Sequence, residues 1–170
     1  LKTTIKLHFF RFRGLIFEKT AKVWLKSHDN SIKNKFSLLA DNNDYYKKTL
    51  SLAPEDYNTT FKLAKIYLQT QRYNEMISCT NDYISIDSTN KTINQYNGIG
   101  YCFVQEFEKA IDRLSKLYND GDKSFTTNYF LGASYFGIQD YYPAYEHLTE
   151  AYEVDSTNLN LLYYLGRSAI

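Results

Sequence analysis

The feature that most constrains this 170-residue chain is an internal repeat with a period of about 34 residues. The segment QEFEKAI at 105–111 has the counterpart QRYNEMI at 71–77 and a second counterpart, QDYYPAY, at 139–145. Several columns in register are not expected by chance, so we interpret the chain as a tandem array of one structural unit. The columns hold Tyr73, Phe107 and Tyr141; Met76, Ala110 and Ala144; Ala64, Gly98 and Gly132; and Tyr67, Tyr101 and Tyr135.

Each period divides into two amphipathic halves. In the third copy, residues 126–137 have apolar and small residues at helical spacing, and residues 141–154 do so again after a short break. Pro143 falls in the first turn of that second half, where its missing N–H has no cost. Residues 155–158, DSTN, supply turn and N-cap chemistry for the next helix. The pattern therefore predicts a helix–turn–helix unit.

This unit resembles the tetratricopeptide repeat, a 34-residue pair of helices with the pattern L-G-x-x-Y followed by A-x-x-x-F. Leu131, Gly132 and Tyr135 carry the first part of the match, and Ala144 and Leu148 the second. The resemblance implies an all-α fold, an α-solenoid in which the repeats form a right-handed superhelix. The other copies match at Leu63, Ala64, Tyr67, Tyr73 and Ile77, and at Gly98, Tyr101, Phe107, Ala110 and Leu114.

The repeat divides the chain into five segments. Residues 57–90, 91–124 and 125–158 are three full copies. Residues 159–170 are the first helix of a truncated or capping repeat. Residues 1–56 do not keep the register, and we expect a degenerate segment that is helical from about residue 17 and ends in the second helix of an irregular repeat.

Composition and charge exclude several function classes. The net charge of +1 gives the molecule as a whole no electrostatic reason to bind nucleic acid, so no nucleic-acid partner is expected. Residues 1–28 are basic and aromatic, and docking of this segment on an anionic membrane or on nucleic acid is a minor alternative. No apolar run has the length of a transmembrane helix.

No catalytic or metal-binding constellation is visible. The three histidines, His8, His28 and His147, are far apart in sequence and lack metal-ligand spacing. Cys79 and Cys102 are too few for a disulfide framework, and we expect free, half-buried thiols. The sequence therefore predicts a protein that is not an enzyme and has no cofactor and no metal.

In the tetratricopeptide family the first helices line a concave face along which peptides bind. Some relatives grip a C-terminal carboxylate with basic residues in set columns, but here those columns hold Phe61, Tyr96, Thr126 and Phe130, with only Lys65 basic. We therefore expect an aromatic groove for an apolar or extended peptide, without such a clamp. By column the groove residues are Phe61, Lys65, Leu68, Gln95, Ile99, Cys102, Tyr129, Ala133, Phe136, Tyr163 and Arg167.

Three roles follow from this interpretation. The main hypothesis is a non-enzymatic scaffold that binds a protein or peptide partner in the groove. In the second, the apolar last helix mediates self-assembly, such as a homodimer, through Leu161, Leu162, Leu165 and Ile170. In the third, the chain is the regulatory arm of a larger multidomain protein. The frequent Asn, Lys, Ile and Tyr are typical of AT-rich bacterial genomes, and we expect a cytoplasmic protein or one on the periplasmic side of the cell envelope.

Overall fold

A computed structural model describes residues 43–169, and the packing reported below lies within the unit Tyr45–Ile170. These residues form helices joined by short turns, with no strand among them. Of the predicted degenerate segment 1–56, residues 1–42, which include the basic segment 1–28, lie outside the described residues. The helices are α1 over 43–52, α2 Tyr57–Gln69, α3 Tyr73–Ile84, α4 Lys91–Phe103, α5 Phe107–Asn119, α6 Phe125–Gly137, α7 Tyr141–Val154 and α8 Leu159–Ser168.

The helices stack in chain order as an array of antiparallel pairs. We call α2, α4, α6 and α8 the first helices and α3, α5 and α7 the second helices. Each helix from α2 onward packs against the next one, and each first helix also contacts the next first helix. The backbones of neighbouring second helices lie further apart, and side chains make the described contacts between them, as Tyr118 of α5 does with Glu150 of α7. Because the first helices lie closer together, they form the inner, concave side of a curved α-solenoid.

The N-terminus of every first helix is capped by a side chain, and the caps recur once in each repeat. The oxygens of Asp56, Asn90, Ser124 and Asn158 accept hydrogen bonds from backbone N–H groups of the first helical turn. The second helices have no side-chain cap, because a tight turn leads directly into each of them. The predicted capping role of the DSTN segment at 155–158 is confirmed by Asn158.

The turn inside each repeat holds a glutamine in the left-handed backbone region. Gln71, Gln105 and Gln139 have φ values of 59°, 65° and 66°. At the second of these turns, the Glu106 N–H donates to the Tyr101 carbonyl at 2.9 Å and the Gln105 N–H to the Cys102 carbonyl at 3.2 Å. This pair of bonds is the Schellman motif, which closes a helix through one left-handed residue.

Replacing one of these glutamines by glycine should stabilise the fold. For Gln105→Gly we expect the free energy of unfolding to rise by about 0.5 kcal/mol, since relief of the left-handed strain exceeds the added freedom of the unfolded chain. Gly121, with φ of 92°, ends α5 in the same motif and provides the opposite test. Gly121→Ala should lower stability by about 1 kcal/mol in urea denaturation. If both variants changed the free energy of unfolding in the same direction, this explanation would be contradicted.

The glycine column allows the two helices of a repeat to approach closely. A Cβ atom on Gly132 would lie 2.7 Å from Leu148 Cγ and 3.1 Å from the Ala144 carbonyl oxygen. Gly98 stands in the same relation to Leu114, whose Cγ would be 2.7 Å away. The leucines are fully buried. The small residue at this position is therefore needed for direct contact between first and second helix.

In the first two repeats the aromatic residue that begins the second helix packs against the next repeat, whereas Tyr141 of the third packs on Phe136 of its own repeat. The ring of Tyr73 stacks on Phe103 with centroids 4.4 Å apart. One period later, Phe107 lies where a Cβ on Gly137 would be, so glycine there makes room for the ring. These aromatic side chains thus join successive repeats as well as closing the end of their own helix pair.

Candidate binding surface

A ladder of aromatic rings crosses the concave side of the array. Phe103 of α4 contacts Phe130 of α6 edge to face, with centroids 5.5 Å apart, and Phe130 contacts Tyr129 at 5.1 Å. Tyr164 of α8 lies 6.3 Å from Tyr129 and 5.2 Å from Phe136. We call these five residues the aromatic ladder. It connects three first helices with rings that are packed on one side and partly open to solvent on the other.

A second group of rings lies toward the N-terminal end of the same side. Phe61 of α2 meets Tyr96 of α4 edge to face at 5.7 Å, and Tyr57 stacks on Phe61 at 6.0 Å. Tyr57 also touches Tyr83 of α3. Both aromatic groups are therefore formed between neighbouring first helices, where the pitch of the repeat brings equivalent positions together.

Burial makes the tyrosine hydroxyls of this surface harder to ionise than a free tyrosine. Loss of solvent raises the pKa of Tyr129 to about 12, and it also raises the pKa values of Tyr164 and Tyr96. These hydroxyls are protonated at neutral pH and act as hydrogen-bond donors and acceptors. The surface therefore combines apolar ring faces with neutral polar groups.

The structure places the eleven predicted groove residues in three environments. Lys65, Tyr163 and Arg167 are exposed, and Tyr163 is 55% open to solvent. Ile99 and Ala133 are buried and pack between helices, so they do not form an open binding surface. The remaining six are half-buried: Phe61, Leu68, Gln95, Cys102, Tyr129 and Phe136.

Several residues of the aromatic ladder were not in the predicted set. Phe103, Phe130 and Tyr164 each directly follow a predicted groove residue in the sequence. The predicted neighbours are Cys102, Tyr129 and Tyr163. A recurring aromatic at Tyr96, Phe130 and Tyr164 is visible in the sequence and could have identified the additional column. Column position alone does not show which ring turns toward the next helix, since this depends on the helix crossing.

Charge is unevenly divided between the two sides of the array. The first helices carry four charged residues, all of them cationic: Lys62, Lys65, Lys91 and Arg167. The second helix α7 carries Glu146, Glu150 and Glu153 and no lysine or arginine. The first helices are therefore weakly cationic, with the Asp122 carboxylate accepting a hydrogen bond from Gln95 beside them, whereas the outer side at α7 is acidic.

The residues predicted for self-association differ in accessibility. Leu161 is fully buried in the core cluster with Leu148 and Ala151, so its side chain offers no exposed surface. Leu165 is half-buried against the same cluster, and Leu162 is exposed. Ile170 lies outside the described residues.

The two cysteines are free thiols in half-buried positions. Cys79 borders a cavity of about 380 Å³ between α1, α2 and α3, together with Lys47, Glu75 and Asp82. Burial, and then the charge of Asp82, raises the pKa of Cys79 to about 12, so its thiolate is not populated at neutral pH. Burial also raises the pKa of Cys102. Neither thiol is activated for nucleophilic chemistry.

His147 is the histidine that the described residues include, and it is part of the packing between α6 and α7. Its Nδ1 lies 3.1 Å from Asn128 Oδ1, and Asn128 Nδ2 donates to the Lys123 carbonyl. The ring stacks on Tyr135 with centroids 5.7 Å apart and meets Tyr118 edge to face at 4.7 Å. His147 is thus a half-buried histidine that packs between helices and has a hydrogen-bonded ring nitrogen.

This environment predicts a pH dependence of stability. Burial lowers the pKa of His147 below its usual range, although Glu150 and Glu146 favour the charged ring, and Lys123 opposes it. The unfolded chain therefore takes up the proton first, so stability is complete above pH 6.5 and falls as the pH drops below that value. We expect the urea midpoint to fall between pH 7 and 5.5, and to fall less in His147→Gln. Parallel pH profiles for the two proteins would contradict this role.

Residues 43–169 contain no group of three or more histidine, cysteine or acidic side chains placed to hold a metal ion. Within the same range, no helix combines the length and the apolar character needed to cross a bilayer. His8 and His28 lie outside this range.

No protein-family model matches the sequence, and no curated protein matches it. Several solved structures are similar to the chain. The chain is similar to MamA, residues 41 to the end, from Desulfovibrio magneticus RS-1, with 13% identity, a TM-score of 0.68, and coverage of 76% of this chain and 73% of that one. It is also similar to YrrB, described as a TPR protein with an unusual peptide-binding site, with 17% identity, a TM-score of 0.62, and coverage of 72% and 63%.

A third similar structure is the second TPR domain of human RPAP3 in complex with an HSP70 peptide. The identity is 13%, the TM-score is 0.57, and coverage is 65% of this chain and 92% of that one. Together with the repeat geometry, these similarities show that the chain has the tetratricopeptide-repeat fold. The predicted all-α solenoid of helix–turn–helix repeats is confirmed.

Proposed function

We propose that the chain is a non-enzymatic interaction scaffold that binds a segment of a protein or peptide on the concave side of its first helices. The observation that carries this proposal is the aromatic ladder, Phe103, Tyr129, Phe130, Phe136 and Tyr164, which presents partly open rings along three neighbouring first helices. Solved structures of the same fold include one with a bound HSP70 peptide and one described by its peptide-binding site.

The chemistry of the surface indicates what it binds. Flat rings and neutral hydroxyls favour apolar and aromatic side chains of the ligand, whose burial supplies most of the affinity. The exposed Lys65 and Arg167 stand near opposite ends of the described array and add long-range attraction for acidic groups. Phe61, Tyr96, Thr126 and Phe130 stand at the columns where some relatives bind a terminal carboxylate, and none of them is basic. This favours recognition of a segment within a chain rather than of its C-terminus.

Peptide selection tests this proposal directly. Short peptides selected from a random display library on the wild-type protein should lose at least about tenfold in affinity with Tyr163→Ala, which removes an exposed ring that packs edge to face on Tyr164 of the ladder. Lys65→Glu should weaken acidic peptides by a similar factor. Both positions are exposed, so neither change should disturb the fold.

Lys116→Glu provides the matched control, because Lys116 is an exposed lysine of the second helix α5. Its affinity for the selected peptides should equal that of the wild type. Peptides that bind all three variants as tightly as the wild type would place binding elsewhere and would refute the proposed function.

A second candidate function is self-assembly through α8. Gly166 continues the glycine column of Gly98 and Gly132, but among the described residues a Cβ at Gly166 would have nothing within 4 Å. No described side chain stands where Leu114 and Leu148 stand in the earlier repeats, and the exposed Leu162 lies one turn away on the same helix. If α8 mediates self-assembly, sedimentation equilibrium should show a dimer for the wild type and a monomer for Leu162→Asp.

A further inference from the structure

The junction between the first and second repeats has a polar pair of side chains where the later junctions have two leucines. At the three successive junctions the paired columns hold Thr80 and Asn97, Leu114 and Leu131, and Leu148 and Leu165. Leu114 and Leu131 belong to one buried cluster, and Leu165 packs on the cluster that contains Leu148. Among the described junctions, the one between α3 and α4 therefore lacks the leucine pair that joins the other repeats.

The two polar side chains are fully buried and are joined by a hydrogen bond. Asn97 Nδ2 donates to Thr80 Oγ1 at 2.9 Å and to Asn81 Oδ1 at 3.0 Å. Asn81 Nδ2 in turn donates to the Tyr101 hydroxyl at 3.1 Å. We call Thr80, Asn81, Asn97 and Tyr101 the polar layer. It crosses the contact between α3 and α4 at the height where the later junctions are apolar.

The polar layer weakens this junction relative to its counterparts. Asn97 Oδ1 is buried and has no hydrogen-bond partner among the described residues. A buried oxygen of this kind loses its hydration without compensation, so it destabilises the closed junction. The hydrogen bonds that do form replace bonds to water, whereas the leucine pairs of the later junctions remove apolar surface from water. The closed state of this junction is therefore less strongly favoured than that of the other two.

Apolar contacts hold the junction together on both sides of the polar layer. Met76 of α3 and Ile99 of α4 lie in one buried cluster, and Ile84 of α3 and Ile93 of α4 lie in another. The junction is thus closed in the native structure. The polar layer lowers the free energy that is needed to open it.

We propose that the array opens at the polar layer, so that α2 and α3 separate from α4 and the helices after it. In a repeat array each unit is held by its neighbours, and the array parts first at the junction with the weakest contacts. Once α2 and α3 leave α4, the apolar face that they buried on it is exposed, and their helical hydrogen bonds open more readily. This inference concerns the motion of the fold and does not depend on the proposed function.

The opening divides the concave side of the array into two parts. Phe61 of α2 meets Tyr96 of α4 across the same junction, so this ring contact is lost when the junction opens. The aromatic ladder lies wholly on α4, α6 and α8 and stays intact. The polar layer therefore acts as a hinge between the two aromatic groups of the concave side.

Native-state hydrogen exchange of the full chain at rising urea concentrations tests the inference. In the wild type, the slow amides of α2 and α3 should have protection factors at least about tenfold lower than those of α4 to α7. Their exchange should also depend less on urea, because the opening exposes only part of the surface that global unfolding exposes.

The variant Thr80→Val/Asn97→Leu replaces both polar side chains by apolar ones of similar size. Valine is the size-matched choice at Thr80, because Ala64 stands here in the glycine column. Removing both partners together leaves neither of them unpaired. The variant should therefore raise the protection of α2 and α3 at least about tenfold, toward that of α4 to α7.

Asn74→Leu is the matched control, because it makes an asparagine-to-leucine change at an exposed position of α3. Protection of α2 and α3 in this control should stay within about twofold of the wild type. A wild type with equal protection and one common urea dependence from α2 to α7 would overturn the inference. Low protection of α2 and α3 that the double variant does not raise would also overturn it, since the opening would then be fraying that is independent of the polar layer.

Discussion

The variant Gly132→Val is expected to lose about 3 kcal/mol of unfolding free energy. A Cβ atom at this position already lies 2.7 Å from Leu148 Cγ and 3.1 Å from the Ala144 carbonyl oxygen, and valine adds two methyl groups. The leucine is fully buried and the carbonyl is part of a helix backbone, so neither can move aside at low cost. Urea denaturation followed by circular dichroism measures the change.

Gly166→Val is the matched control in the same column of the repeat. Within residues 43–169 no atom lies within 4 Å of a Cβ at Gly166, and glycine is the weaker helix former, so its substitution should change stability by less than about 0.5 kcal/mol. If the two variants lose equal stability, close helix contact is not the reason for glycine at Gly132.

Leu114→Ala should cost about 3 kcal/mol, within the range of large-to-small changes in well-packed cores. Leu114 is fully buried, lies against Gly98 within its own repeat, and joins the cluster that includes Leu131 of the next repeat. Its truncation therefore opens a cavity both within and between repeats. The change is measured as a shift of the urea midpoint.

Leu52→Ala removes the same atoms from an exposed leucine of α1 and should change stability by less than about 0.5 kcal/mol. A small effect of Leu114→Ala, similar to that of Leu52→Ala, would contradict a continuous core through the repeats. Such a core is what makes short solenoids unfold cooperatively.

The sequence predicted the fold well because the repeat imposes the same packing several times. One glycine or one tyrosine would have been ambiguous, but Gly98 and Gly132 at equivalent positions of successive repeats indicate a shared close contact. The cap positions Asn90 and Asn158 follow from the same period. The left-handed glutamines such as Gln105 were not predicted, since glutamine has no preference for that backbone region.

The candidate binding surface was harder to predict than the fold. Column position separates first from second helices but does not show how deeply a side chain lies, so Ile99 and Ala133 were included although they are buried. Phe103 and Tyr164 were left out, because their role depends on contacts with rings of neighbouring helices. Such contacts follow from helix crossing geometry, which the residue pattern does not specify.

The most direct test of the central claim is a map of amide chemical shifts in ¹H–¹⁵N spectra as a selected peptide is added to the wild-type chain. The largest changes are expected at residues of the first helices around Tyr129 and Tyr164, with little change along the outer face of α5 near Asp112. Changes concentrated on the second helices would contradict the assignment of the concave side as the binding surface.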